Sequence, residues 1–93
     1  MKMKFEYNFE KNAQLIKERG LGFEEIITEI NNGNLVNITA HHNQEKYPEQ
    51  KIMHIKCLGK IYLVPYVITK EGIIFLKTLF PSRKATKLYQ NRK

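Results

Sequence analysis

The chain has 93 residues and a mass of 11.0 kDa, the size of one small domain spanning residues 1–93. Its composition is 42% hydrophobic and 11% aromatic, which supplies a thin core and excludes global disorder. The formal charge is +7, one cysteine cannot form an internal disulfide, and no apolar run is long enough to cross a bilayer.

In chain order, Lys4-Phe5-Glu6-Tyr7 alternates polar and apolar residues and predicts a short strand. Asn8 then stands where a helix N-cap would, with Glu10 in the first turn. Phe9, Ala13, Ile16 and Leu15 follow at helical spacing. Gly20 ends this helix after Lys17 and Arg19. Phe23, Ile26, Ile27 and Ile30 predict a second, amphipathic helix, closed by Asn31-Asn32-Gly33-Asn34. Leu35 and Ile38 suggest a strand, and residues 41–50 a polar loop. Strands are expected over 51–58, 60–69 and 73–80, joined by Leu58-Gly59-Lys60 and Lys70-Glu71-Gly72. Pro65 inside the second of these implies a bulge or an unpaired N–H. Ser82 can cap a final helix over 83–89. Helices set apart from an antiparallel meander of four or five strands predict an α+β, two-layer domain.

Charge is unevenly spread. Residues 1–50 carry six bases and eight acids, and residues 51–93 carry ten bases and one acid, Glu71. One strongly basic half suits a polyanionic partner, either nucleic acid or an acidic protein. The plain alternative is a soluble protein that is merely basic. The N-terminus has no apolar stretch of a secretory signal, and a cytoplasmic location is expected.

Three constellations could do chemistry. The tail Phe80-Pro81-Ser82-Arg83-Lys84-Ala85-Thr86-Lys87 would place backbone N–H groups, a helix dipole and cations together, as a phosphate site does. The loop from His41 to Lys51 includes His42, Lys46 and Tyr47, groups able to exchange protons or hold an oxyanion. Cleavage of an RNA strand needs little more: a base for the 2′-OH proton, cations for the phosphorane, an acid for the leaving oxygen. On the strand 51–58, Met53, Ile55 and Cys57 alternate with His54 and Lys56. If the former face the helices, His54 and Lys56 lie on an open face that Tyr62 and Tyr66 could join. A solvated basic helix, an ordinary polar loop and packed tyrosines are the bland counterparts. His41, His42, His54 and Cys57 match no metal-ligand spacing, so no metal and no other cofactor is expected.

The chain also resembles the BrnT-type toxins. Phe5-Glu6-Tyr7-Asn8, Lys11-Asn12, Lys17-Glu18-Arg19-Gly20 and Gly22-Phe23-Glu24-Glu25 are similar to the family's F-x-W-D-x-x-K-N, K-H-G and F-E-x-A. Pro81-Ser82-Arg83-Lys84-Ala85-Thr86-Lys87 and Tyr89 resemble its S-A-R-K-A-T ending. A compact subgroup with H-P-N, K-Y-P-x-Q-K, Y-L-V-P and F-L-K-T-x-F-P-S-R-K is closer. Here those segments begin at His41, Lys46, Tyr62 and Phe75.

The resemblance implies a RelE-like fold and the toxin of a bacterial type II toxin–antitoxin pair, a metal-independent ribonuclease that arrests translation. Its implied partners are RNA (on the ribosome or free), a ribbon-helix-helix, CopG-like antitoxin, and operator DNA reached through the antitoxin complex, with no membrane. Arg83 falls on the arginine of the C-terminal motif, and Lys51 falls where many relatives have arginine. In this reading Arg83 and Lys51 stabilise the phosphorane, and His41 or His54 is the general acid or base. Tyr47 is a further donor, and Lys84, Lys87, Lys56 and Ser82 hold the RNA. Arg19 stands in place of the histidine of K-H-G, and His42 in place of the proline of H-P-N. A nucleic-acid-binding module without catalysis, or a protein that binds only an acidic antitoxin segment, stays open beside it.

Overall fold

The computed structural model describes residues 3–90. The elements run β1 (Phe5–Tyr7), α1 (Phe9–Arg19), α2 (Phe23–Asn31), β2 (Leu35–Ala40), β3 (Lys51–Cys57), β4 (Lys60–Ile68), β5 (Ile74–Leu76), β6 (Phe80–Ser82) and α3 (Arg83–Gln90). The fold is α+β. The strands form one mixed sheet in the order β1-β5-β4-β3-β2, with β6 also on β4.

Local chemistry sets the helix ends. Asn8 Oδ1 accepts the N–H of Lys11 at 2.9 Å, and Gly20 takes the left-handed C-cap, φ 71°. The start of α2 is tied across the helix pair: Asn12 Oδ1 of α1 accepts the N–H of Phe23 at 2.8 Å. Glu25 Oε1 accepts that of Gly22 at 2.7 Å. Gly22 lies so close that an added Cβ would meet Asn12 Oδ1 at 2.5 Å.

This tie also fixes the rotation of α1. Asn12 and Leu15, three residues apart, turn inward, and Leu15 is the buried residue of the helix. Phe9 is 80% exposed, and Ala13 and Ile16 are exposed as well. The apolar face expected for α1 is therefore wrong, except at Leu15. In α2 the expected face holds, with Phe23, Ile26 and Ile30 buried.

The sheet departs from the expected antiparallel meander in two ways. β1 joins it in parallel with β5, Glu6 opposite Phe75. The expected strand 73–80 is split into β5 and β6, both on the flank of β4 away from β3. Pro65 explains the split. Lys77 N–H donates to the Pro65 carbonyl at 2.8 Å, but proline has no N–H to return. The ladder breaks at that point and resumes at Phe80.

β3 and β4 are joined by the two-residue turn Leu58-Gly59, both with positive φ, 53° and 73°. The turn puts Cys57 opposite Lys60 and Ile55 opposite Tyr62. Met53, Ile55 and Cys57 pack with α2 in the core, and Tyr62, Val64 and Tyr66 join them. Tyr62 and Tyr66 therefore do not share a face with His54, which corrects that expectation. The register sends Ile52, His54 and Lys56 to the other face, with Ile61, Leu63, Pro65, Phe80 and Ser82. That face is not open: α3 and the 41–50 loop both pack on it.

Candidate functional site

The basic tail folds as a capped helix on the sheet. Ser82 Oγ accepts the N–H of Ala85 at 3.1 Å. The Thr86 hydroxyl donates to the Ser82 carbonyl at 2.6 Å and accepts the N–H of Ile61 at 2.8 Å. These bonds hold the start of α3 over β4. A cleft of about 590 Å³ opens there, lined by Lys60, Pro81, Ser82, Arg83, Thr86, Lys87 and Gln90. Arg83 and Lys87 thus share one concavity with Ser82, while exposed Lys84 does not line it. Lys60 is a third cation that the sequence reading missed. Its signal was the hairpin register, which sets Ile61 opposite Ser82 and brings Lys60 to the α3 end of the sheet.

The 41–50 loop builds a second cleft on the same face. His41 is only 9% exposed, and its Nδ1 accepts the N–H of Asn43 at 3.0 Å. Gln44 Nε2 donates to the His41 carbonyl at 2.6 Å, and His41 N–H donates to the Gln50 carbonyl at 3.2 Å. The His41 ring stacks on His42, centroids 4.6 Å apart, and lies 4.6 Å from the Tyr47 ring on a tilt. Lys46 Nζ sits 5.3 Å from the Tyr47 centroid. Burial, and then the neighbouring His42, push the His41 pKa below the ordinary imidazole value. His41 is therefore neutral at pH 7. With Nδ1 already accepting, its proton belongs on Nε2, so it is a hydrogen-bond donor there. The cleft, about 310 Å³, is lined by His41, His42, Tyr47, Gln50, Ile52, Pro65, Lys77, Thr78 and Phe80.

His54 lies between the two clefts in register with Leu63, which in turn pairs with Phe80. Its Nε2 is 3.0 Å from Thr39 Oγ1, and the Tyr89 ring is edge-on at 6.1 Å. Nδ1 is buried and has no hydrogen-bond partner among the described residues. Burial lowers the His54 pKa, so this ring too is neutral at pH 7. Lys56 lines a smaller cleft of about 240 Å³ with Lys60, Ile61, Thr86 and Tyr89.

Lys51 stands apart. It has the strand parity of Met53 and Ile55, opposite to that of His54, and its side chain is exposed. Cys57 is buried in the core, and its thiol is pushed up by burial and by Glu29 and Glu25 beyond it. A protonated thiol is not a nucleophile. Cys57 and His54 also lie on opposite faces of β3, so the four side chains weighed for a metal are not gathered.

The chosen residues thus fall into groups: Arg83, Lys87 and Ser82 in one cleft, His41 and Tyr47 in another, His54 and Lys56 on the sheet between α3 and β2, and Lys51 across the sheet. β6 joins the two main clefts, with Phe80 lining one and Ser82 the other, roughly 7 Å apart along the strand. No protein-family model, curated protein or solved structure matches this chain.

Proposed function

We propose that this chain is the toxin of a bacterial type II toxin–antitoxin pair, an endoribonuclease that cuts messenger RNA without a metal and arrests translation in the cytoplasm. The observation that carries it is the pair of clefts linked by β6. Three cations, Lys60, Arg83 and Lys87, line one cleft at the start of a capped helix, and Phe80 of the same strand β6 lines the cleft that holds His41 and Tyr47. The resemblance of the chain's motifs to the BrnT-type toxins adds the substrate and the partners. Those are messenger RNA, a CopG-like ribbon-helix-helix antitoxin, and operator DNA bound through the complex.

In this reading the RNA backbone lies along β6. The 2′-oxygen attacks the adjacent phosphorus as its proton passes to water, the bond from phosphorus to the 5′-oxygen breaks, and the 5′-oxygen takes a proton from water. The products are a 2′,3′-cyclic phosphate and a free 5′-hydroxyl. Arg83, with its planar fork, stabilises the charge that grows on the phosphorane, aided by Lys60 and Lys87. His41 donates from Nε2. Neither His41 nor His54 offers a lone pair that is both free and exposed, so charge stabilisation carries most of the acceleration. Induction of Arg83→Ala in a bacterial host tests the assignment. Growth continues if Arg83 is central, whereas growth arrest equal to that of the parent chain rules the role out.

The same missing lone pair favours a second reading. A basic face of this kind could bind RNA and leave it intact. That reading expects strong salt-dependent binding with no new RNA ends.

A further inference from the structure

His42, His41 and Tyr47 form a column of rings at the mouth of the 310 Å³ cleft. The His41 ring has His42 at 4.6 Å and 27° and Tyr47 at 4.6 Å and 43°. His41 is locked by its bond from Asn43, so the column is pre-organised. Its outer member, His42, is exposed. The cleft beside it has an apolar floor, Ile52, Pro65 and Phe80, and polar walls, Gln50 and Lys77. Its volume is at the small end of the range for ligand sites, roughly 300–1,000 Å³. Lys77 lines it, and Lys46 sits over the Tyr47 ring in a loop that also carries Glu45 and Glu49; the half of the chain that supplies the floor carries ten bases against one acid.

An exposed ring stacked on a held neighbour, beside an apolar cleft that one cation lines, suits a flat aromatic group on an anionic chain. We propose that this cleft takes one unstacked nucleobase of a single-stranded RNA, stacked on His42, with Lys77 beside its phosphate. The inference rests on the RNA reading above and adds a base-holding site to it, separate from the Arg83 cleft. Stacking tolerates any base, because each has a π-face. His42 would then fix which nucleotide lies over β6, and so where the strand meets Arg83.

The test is binding of a fluorescent uridine dodecamer to the parent chain, His42→Ala and His42→Phe, at one fixed salt concentration. A second probe has the same charge but carries base-free spacers in place of uridines. His42 is exposed, and unchanged thermal melting verifies that both variants fold. On the uridine probe His42→Ala binds about tenfold weaker or more, the loss expected for one base–aromatic stack. His42→Phe keeps affinity within about threefold, because a ring remains. On the base-free probe all three proteins bind alike. If His42→Ala binds uridines as the parent does, or loses affinity equally on both probes, the base site is overturned. Cleavage scored in the same samples separates the two claims. RNA cut regardless of His42 leaves the nuclease reading standing without the base site. RNA bound through His42 but left intact, both alone and when ribosomes are added, keeps the base site and removes the nuclease. A parent chain that binds neither probe overturns both.

Discussion

Thr86 Oγ1 accepts the backbone N–H of Ile61 at 2.8 Å, so one hydroxyl pins the basic helix α3 to the start of β4. The same hydroxyl donates to the Ser82 carbonyl at 2.6 Å. Its donor and one acceptor site are both used, and Arg83 sits between the two anchors in sequence.

Thr86→Val keeps the shape and removes both bonds. It leaves the Ile61 N–H without its acceptor, a cost of about 1–3 kcal/mol. A lower urea midpoint, together with weaker RNA binding, is the expected outcome. An unchanged midpoint would mean that the helix is held by Ala85 and Tyr89 packing alone.

Gly22→Ala tests the close approach of α1 and α2. The new Cβ meets Asn12 Oδ1 at 2.5 Å and Ile16 Cγ1 at 2.8 Å. Overpacking of this kind costs about 1–3 kcal/mol. Asn12→Ala removes the cross-helix cap without a clash and should cost about 1 kcal/mol by equilibrium unfolding.

Leu58 holds a left-handed conformation, φ 53°, although it is 75% exposed and contributes little to the core. A branched side chain there is strained, whereas asparagine tolerates the region. Leu58→Asn should raise stability by about 1 kcal/mol, read as a higher urea midpoint. A fall would show that the hairpin tip gains more from leucine than the backbone loses.

His41 and His54 both have folded pKa values below the ordinary 6.5, mainly because of burial. Unfolding exposes them, so the unfolded chain binds more protons once the pH falls below about 6.5. Their contribution to stability is thus complete above that value and is lost as the pH falls through it toward the folded values. The urea midpoint should be lower at about pH 5.5 than at about pH 7.5, and His54→Gln should reduce the difference. A midpoint that rises on acidification would contradict the burial account.

Much of the fold could be read locally. Asn8, Gly20 and Ser82 mark helix ends because a cap needs only neighbours in sequence. The faces were harder. Counting Lys60 into the β3–β4 turn blurs the register. The two-residue turn Leu58-Gly59 fixes it, and with it the inward direction of Tyr62 and Tyr66. The rotation of α1 depends on Asn12 reaching Phe23, eleven residues away, which no periodicity shows. Asn12, Gly22 and Phe23 together hold the two helices to each other. At the candidate site the sequence indicated the cap at Ser82 and the place of Arg83 beside it. It could not tell buried His41 from exposed His42, nor place Lys51 on the far face, because both depend on how the loop and strand pair in space.

The proposed activity is metal-free cleavage of RNA at the cation-lined cleft around Arg83. Incubation of the purified chain with end-labelled RNA in EDTA, beside Arg83→Ala, tests it most directly. The account predicts discrete fragments ending in 2′,3′-cyclic phosphate, absent with Arg83→Ala although that variant melts like the parent. RNA left intact by the folded parent chain, both alone and with ribosomes, or cut equally by both proteins, would contradict it.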